Sequence, residues 1–166
     1  GGLSFSGDWK GIDLSFLFQA GLGRDVALTG VYSGGIMDNT QMTKPFYHGG
    51  NSPKYLVENS WREDNTNAEF PRLSIVQASS NNAYSSTFWY RSGDYLRLKN
   101  LQIGYTFPQK WMSRIGIDRL RIYFEGQNLW TVSELTKFNI DPEQPGVSNG
   151  YYPQQRIFSF GVNLAF

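Results

Sequence analysis

The sequence has no cysteine and one histidine, and only 17 % of its 166 residues are charged. Without cysteine, neither a disulfide framework nor a thiolate metal site can form. The net charge of +1 gives no electrostatic basis for binding nucleic acid. No apolar run approaches the roughly 18 residues that a membrane-spanning helix needs, which excludes a helical membrane protein. A β-barrel is not excluded, because barrel strands distribute their apolar residues by alternation.

Aromatic residues are abundant instead, at 16 %, and there are 18 glycines. In five segments apolar side chains alternate with polar or small ones, as on strands that have one apolar face. The sequence therefore predicts an all-β fold of five antiparallel strands, over residues 2–9, 11–22, 94–107, 118–130 and 155–166.

The alternation assigns side chains to two faces. We expect the apolar face to contact lipid and to be exposed to solvent when no membrane is present, with Phe16, Phe18, Phe124, Phe158, Phe160 and Leu164 as its members. The opposite face is expected to line the lumen of a barrel, with Asp13, Arg121, Glu125 and Asn163 pointing inward.

One strand breaks the pattern. Leu96 and Leu98 are even-numbered, whereas the apolar residues from Leu101 to Phe107 are odd-numbered, so simple alternation places the two groups on opposite faces. Either a bulge near Asn100 restores the phase, or the upper part of the strand has left the bilayer and packs inward. We favour the second interpretation, in which Tyr95, Arg97 and Lys99 face outward at the lipid headgroups.

Short and long connections alternate along the chain, as the periplasmic turns and extracellular loops of outer-membrane barrels do. This pattern predicts a hairpin of two strands over 1–22, an extracellular loop over 23–93 and three further strands over 94–166. Within the last part, 108–117 is a periplasmic turn and 131–155 an extracellular loop. The carboxyl terminus is then periplasmic. Aromatic residues are expected at both membrane interfaces: Trp9, Phe107, Trp111 and Phe166 below, and Trp130, Phe88, Trp89 and Tyr90 above.

Five strands are too few to close a barrel, since small closed barrels have about eight. An open sheet in lipid would leave two edges of unpaired backbone groups. The chain also begins at Gly1 without an initiator methionine. We therefore expect further strands, and any targeting segment, to lie upstream in a longer precursor.

Several motifs resemble one family, the SusC/RagA-like TonB-dependent transporters. The strand at 95–108 reads YLRLKNLQIGYTFP, close to the family's YLRLKNLxLGYTLP, and the next reads LRIYFEGQNL, close to LRxYxxGQNL. Further similarities are FPRLS at 70–74, the hairpin KGIDLSF at 10–16 and Tyr152-Pro153 leading to Arg156. The matches run from residue 10 to 166 in the family's order, whereas residues 24–60 match nothing.

The resemblance implies the carboxy-terminal five strands of a barrel of about 22 strands, closed by a plug, in the bacterial outer membrane. Contact with that plug is then favoured for the polar lumen residues over contact with substrate. It implies import of glycans or peptides, driven through TonB, with a SusD-like surface lipoprotein as partner. Membrane lipid, lipopolysaccharide and the outer-membrane assembly machinery are further implied partners, with Phe166 as the assembly signal. No enzymatic activity is expected.

Two other functions remain open at this stage. A passive porin would share the aromatic girdles and loop asymmetry but lack a plug, so the sequence upstream of Gly1 would separate it from the importer. A soluble carbohydrate-binding β-sandwich also has alternating strands. Solubility without detergent would identify it.

No catalytic residue and no cofactor is predicted. His48 has no nucleophile pattern near it and is expected to be a solvated loop residue. Oxygen ligands at Glu63, Asp64, Asn65 and Asn67 leave calcium binding open, although a short helix from Ser52-Pro53 to Trp61 explains this neighbourhood better. Loop aromatics are the candidates for contact with substrate or lipoprotein: Tyr47, Trp61, Tyr84, Trp89, Tyr151 and Tyr152.

Overall fold

The computed structural model describes residues 1–28, 53–73, 86–145 and 154–166. The chain divides into two compact units. The first, called the strand unit here, comprises Gly1–Leu22, Tyr95–Val132 and Gln154–Phe166; the second, the loop unit, comprises Gly23–Asp94 and Ser133–Pro153. In the described ranges, no helix is long and apolar enough to cross a membrane.

The described residues contain seven strands in two sheets. They are β1 (Gly2–Trp9), β2 (Ile12–Gly21), β3 (Asp25–Ala27), β4 (Tyr90–Ser92), β5 (Tyr95–Thr106), β6 (Arg119–Ser133) and β7 (Ile157–Ala165). The strand unit is built on a five-stranded sheet in the order β1-β2-β5-β6-β7, and β3 and β4 form a second sheet in the loop unit. The five strands of the large sheet lie where the alternation of side chains predicts them.

Neighbouring strands in the large sheet run antiparallel. Registers for β1 with β2, β2 with β5 and β6 with β7 are antiparallel. For β5 and β6, Phe107 N donates to Leu120 O at 2.9 Å and Arg97 Nε donates to Thr131 Oγ1 at 2.9 Å. Because residues late in β5 meet residues early in β6, and the reverse, this pair is antiparallel too.

The short connections are tight turns. Lys10 and Gly11, with φ of 49° and 87°, join β1 to β2, as expected for a two-residue hairpin turn in which both central residues have positive φ. Between β5 and β6 the chain forms the helix Gln109–Met112 and the 3₁₀ turn Ser113–Ile115. The turn predicted over 108–117 is therefore present, and it is helical.

A bulge in β5 decides the faces of the sheet. Leu17 pairs with Asn100 but Phe18 pairs with Leu98, so Lys99 is the extra residue. With that insertion, Leu96 and Leu98 return to the face of Leu101 and Ile103. The interpretation we favoured was wrong, since Tyr95 and Arg97 are buried in the structure and do not face outward. The alternative, a bulge near Asn100, is the observed one.

One face of the large sheet is apolar and open. Phe160 is 82 % exposed, and Phe158 and Leu164 are exposed as well. Three other members of this face that were predicted to be exposed are partly buried instead: Phe16, Phe18 and Phe124. Their rings contact neighbours on the same face: Phe16 packs against Phe5 at 5.3 Å between centroids, and Phe124 against Phe160 at 5.2 Å.

The turns and the carboxyl end of β7 lie at one end of the sheet. Thr106 N donates to Gly11 O at 2.7 Å, and Asp118 N donates to Ala165 O at 2.9 Å. Trp9, Trp111 and Phe166 are therefore near this end, and all three are exposed. These three residues, predicted for the lower interface, thus lie at the same end of the sheet.

The loop unit has a hydrophobic core of its own. The core contains Val26, Leu28, Leu56, Phe70, Trp89, Leu135, Phe138 and Ile140. It is assembled from the β3–β4 pair, the short helix Lys54–Glu58 and the 3₁₀ turn Glu134–Phe138. The predicted short helix is present but ends at Glu58 rather than Trp61. Trp89 is 3 % exposed, so its placement at the upper membrane interface was wrong.

Glu69 joins three segments of the loop unit. It accepts from Tyr55 Oη at 2.7 Å and Arg91 Nη2 at 3.1 Å, and Lys137 Nζ lies at 3.5 Å. Burial raises the pKa of Glu69, but the hydrogen bonds from Tyr55 and Arg91 and the charges of Lys137 and Arg91 outweigh it, and the net pKa is lowered. The carboxylate is therefore stabilised in its charged form.

We predict that Glu69→Gln weakens the loop unit by about 1–2 kcal/mol, because hydrogen bonds to a charged group are lost. Hydrogen exchange of the amides of Leu135 and Phe138 in the full-length protein measures this change. The pKa of Glu69 is lower in the folded state, so its stabilisation is complete above the unfolded pKa and is lost as pH falls through the folded value. The difference between variant and parent should shrink over that acidic range.

Glu58→Gln is the matched control for this prediction. Glu58 forms an exposed pair with Lys54 at 3.5 Å, which is worth about 0.5 kcal/mol or less. Equal effects of the two substitutions, or an effect of Glu69→Gln that does not change with pH, would contradict the assigned role of Glu69.

Candidate functional site

An ion pair crosses the polar face of the large sheet. Arg121 on β6 donates from Nε to Asp13 Oδ1 at 2.9 Å and from Nη2 to Asp13 Oδ2 at 2.5 Å. Bidentate pairing of this kind fixes both the distance and the orientation of the two groups. Asp13 lies on β2, two strands away from β6 in the sheet. The pair therefore spans the intervening strand β5.

Gly104 provides the space for this ion pair. It is the residue of β5 that pairs with Asp13. A Cβ at this position would lie 2.6 Å from Arg121 Nη2 and 2.6 Å from both carboxylate oxygens of Asp13. A glycine inside a strand often marks such a close approach. Gly104 thus allows the two side chains to lie flat across β5.

A second glycine extends the arrangement to the next strand. The guanidinium of Arg121 lies 4.8 Å from the ring centroid of Tyr123, a cation–π distance. Tyr123 pairs with Gly161 on β7, where a Cβ would lie 2.2 Å from the tyrosine Cζ. Asp13, Gly104, Arg121, Tyr123 and Gly161 form one network across four strands, which we call the transverse network.

The other predicted lumen residues lie on the same face. Asn163 pairs with Arg121 in the register of β6 with β7. Glu125 shares the face of Arg121 further along β6, and its Oε1 accepts from Gln127 Nε2 at 3.2 Å. The structure thus brings Asp13, Arg121 and Asn163 together but leaves Glu125 outside the transverse network.

The GQNL motif has a structural explanation. A Cβ on Gly126 would lie 2.6 Å from Leu129 Cδ2, so the leucine side chain occupies the space over the glycine. Asn128 has a left-handed φ of 51°, and its Nδ2 donates to Gln154 Oε1 at 3.2 Å and Gln155 O at 3.0 Å. The motif therefore connects the end of β6 to the segment that enters β7.

Two of the candidate contact aromatics lie in the described ranges, and they differ. Trp61 is 37 % exposed and lines an open pocket of about 350 Å³ with Val57, Ser60, Arg62, Glu63, Arg72 and Leu73. Trp89 belongs to the core of the loop unit, so its candidacy as a contact residue was wrong. Tyr47, Tyr84, Tyr151 and Tyr152 lie outside the described residues.

The segment considered for calcium binding is held by its own hydrogen bonds. Arg62 Nε donates to Asp64 Oδ1 at 3.1 Å, and Asn65 Nδ2 donates to Glu58 O at 3.2 Å. In the part of the chain that the structure describes, no three His, Cys, Asp or Glu side chains cluster as a metal site would require. His48 lies outside the described residues.

Side-chain alternation alone did not identify several residues of the transverse network and of the Glu69 cluster. Gly104, Tyr123 and Gly161 share the polar face with Asp13 and Arg121, and the two strand glycines were the available signal. Glu69 and Arg91 gave no periodic signal, because they lie in irregular segments that only the folded loop unit brings together.

No family model matches the sequence. The chain is 28 % identical to TonB-dependent receptor P3 of Formosa agariphila over 99 % of its own length and 16 % of that protein. It is 30 % identical to TonB-dependent receptor SusC of Bacteroides thetaiotaomicron over 61 % of its length and 10 % of that protein. The chain thus spans about a sixth or less of the length of these relatives.

Solved structures of the RagAB peptide importer agree with this result. The closed-closed state aligns with a TM-score of 0.63 at 28 % identity, covering 100 % of this chain and 17 % of that one. The open-open state gives 0.61 at the same identity. The fold is therefore a mostly antiparallel sheet that matches part of a TonB-dependent receptor barrel. The chain is SusC/RagA-like, as the sequence motifs indicated.

The transverse network can be tested at Gly104. We predict that Gly104→Ala lowers the free energy of unfolding by about 1–3 kcal/mol, because the added methyl group displaces the ion pair. Gly7→Ala on β1 is the control, since its Cβ would meet only the end of the Phe5 side chain at 3.2 Å. Refolding titrations in lipid vesicles would measure both variants. A Gly104→Ala variant as stable as Gly7→Ala would contradict the close packing.

Proposed function

We propose that the chain forms part of the wall of a TonB-dependent outer-membrane importer. The observation that carries this proposal is the two-faced sheet, with open phenylalanines on one side and the transverse network on the other. Lipid contact explains why Phe158 and Phe160 are exposed although both are apolar. A lumen explains why the ion pair is on the opposite face. The protein is a transporter and has no enzymatic role.

The strand unit is proposed to cross the bilayer with its tight turns in the periplasm. The aromatic side chains of Trp9, Trp111 and Phe166 then lie at the lower interface, where amphipathic rings are favoured. Residues 23–93 and 131–155 lie outside the cell in this orientation. The outer edges of β1 and β7 require further strands, because each unpaired backbone group in hydrocarbon costs several kcal/mol.

The proposed cargo is glycan or peptide, and the proposed partners are TonB, a plug inside the barrel and a SusD-like lipoprotein over the extracellular loops. Support comes from the likeness to SusC and to the RagAB peptide importer. The Trp61 pocket is the described loop feature best suited to contact cargo or lipoprotein, because an exposed indole and two arginines line it.

Uptake in whole cells tests this function. Cells carrying the full-length protein should accumulate labelled oligosaccharides or oligopeptides, and an uncoupler of the proton gradient or loss of TonB should stop accumulation. Uptake that continues under both treatments would identify a passive porin instead. A full-length protein soluble without detergent would contradict both membrane functions.

We predict that Phe160→Arg costs about 2–4 kcal/mol of barrel stability, as expected for a cation facing lipid near mid-bilayer. Ser159→Arg is the matched control, because the adjacent residue points to the opposite face and its arginine reaches the lumen. Refolding into vesicles measures both. If Ser159→Arg costs as much as Phe160→Arg, the assignment of faces is wrong.

Phe166 is proposed to act as the recognition residue for the outer-membrane assembly machinery. It follows β7 and is 87 % exposed, so it makes little contribution to packing within the chain. Deleting Phe166 should lower the amount of full-length protein in the outer membrane and leave the unfolding of assembled barrel unchanged. Unchanged surface levels would leave Phe166 only an interfacial aromatic.

A further inference from the structure

The apolar face of the large sheet ends in a row of three side chains beside the hairpin turn. Trp9 on β1 pairs with Ile12 on β2, and Ile12 pairs with Tyr105 on β5. Residues paired on neighbouring strands share a face, so these three lie side by side, and we call them the rim row. Ile12 is exposed and forms the floor between two larger aromatic side chains.

Both aromatic rings of the rim row lie close to the turn. Lys10 Nζ is 4.6 Å from the centroid of the Trp9 ring. A Cβ on Gly11 would lie 3.5 Å from Tyr105 Cε2, and Thr106 N donates to Gly11 O at 2.7 Å. The turn is therefore attached to β5, and the ammonium group of Lys10 lies on the apolar side of the sheet.

The ammonium group is available to a ligand. It has three N–H donors, and the Trp9 ring covers only one side of it. In the described ranges, the Lys10 side chain makes no hydrogen bond or ion pair. The indole N–H of Trp9 and the hydroxyl of Tyr105 are further polar groups in the same row.

The charges at this end of the sheet favour an anion beside Lys10. Together they leave one net positive charge, counted over Lys10, Lys110, Arg114, Arg119, Asp8, Asp118 and the α-carboxylate of Phe166, with Asp13 and Arg121 paired. Asp8 pairs with Asp13 and therefore shares the polar face. Asp118 and Phe166 lie at β6 and β7, and β6 is two strand spacings from β2, about 10 Å. The carboxylates are thus away from the apolar side of the turn.

The apolar neighbours of Lys10 select the chemical class of that anion. A small inorganic anion would contact the ammonium group and leave the rim row unused. A molecule with an anionic head and a hydrocarbon chain would use both, with its chain over Ile12. Indole and phenol rings are also favoured where hydrocarbon meets headgroups. The arrangement therefore fits an anionic lipid better than a free anion.

We propose that the rim row and Lys10 bind one anionic phospholipid, with its phosphate at Lys10 and an acyl chain over Ile12. The inference rests on the proposed function, because it requires the apolar face to lie in a bilayer. It goes further, since contact with lipid by itself needs no preference among headgroups. A zwitterionic lipid carries its own cation, which offsets the attraction to Lys10.

Fluorescence quenching in the full-length protein tests the site. The protein is placed in phosphatidylcholine vesicles that contain an increasing fraction of brominated phosphatidylglycerol or brominated phosphatidylcholine. The difference in quenching between the parent and Trp9→Phe reports the lipid at Trp9. The relative binding constant should be about fivefold higher for phosphatidylglycerol, as one basic residue near an anionic surface predicts. Equal constants would overturn the proposal.

Substitutions at Lys10 assign the preference to its charge. Lys10→Gln should abolish the preference for phosphatidylglycerol, and Lys10→Arg should keep it. Lys54→Gln is the matched control, because Lys54 is an exposed lysine of the loop unit, and it should also keep the preference. A preference that survives Lys10→Gln, or is lost in Lys54→Gln, would overturn the proposal.

Inorganic phosphate distinguishes a lipid site from a site for free anions. Added at constant ionic strength, it should leave the quenching by phosphatidylglycerol unchanged. Displacement of the lipid by inorganic phosphate would overturn the assignment to a phospholipid.

Gel mobility without heating separates failure of this site from failure of the proposed function. A folded barrel resists unfolding in detergent and migrates differently from the heated protein. If the barrel forms and Trp9 shows no headgroup preference, only the lipid site is wrong. If no barrel forms in the parent protein, the proposed function is wrong as well.

Discussion

The register between β2 and β5 is the constraint on which the rest of the strand unit depends. A sheet has two faces, and a shift of one residue exchanges them for every side chain beyond that point. The extra residue Lys99 compensates for the reversed parity of Leu96 and Leu98. Without the bulge, Arg97 would join the apolar face and two leucines the polar one. Separation of the faces, and so the proposed division between lipid and lumen, follows from this local feature.

Glycines allow the side chains of the polar face to contact one another across neighbouring strands. Gly104 and Gly161 lie on neighbours of β6 and remove the side chains that would separate Asp13 from Arg121 and would collide with Tyr123. Arg121 is consequently held by a carboxylate on one side and an aromatic ring on the other. An arginine held in this way presents its free donors in a fixed direction, which a solvated arginine cannot do.

The loop unit is a folded body and not only a set of connections. Its core brings together segments that are far apart in sequence, and Glu69 joins them through Tyr55, Arg91 and Lys137. A core of this kind gives the loops a defined surface, because burial of its apolar side chains offsets the entropic cost of ordering the segments that form it. Trp61 is exposed on this body while Trp89 is inside it. Aromatic content alone therefore does not identify the residues that contact a partner.

Local periodicity determined the strands of the large sheet and, outside the bulge, their two faces, because side-chain alternation depends only on the chain itself. Five sequence motifs also indicated the SusC/RagA-like family, which the relatives support. Side-chain alternation could not distinguish the bulge at Lys99 from an inward-packed strand end, because the same sequence is compatible with both. Alternation also could not predict that Asp13 pairs with Arg121 or that Trp89 is buried. These contacts join residues far apart in the chain, and their energies exist only once the strands and loop segments are assembled.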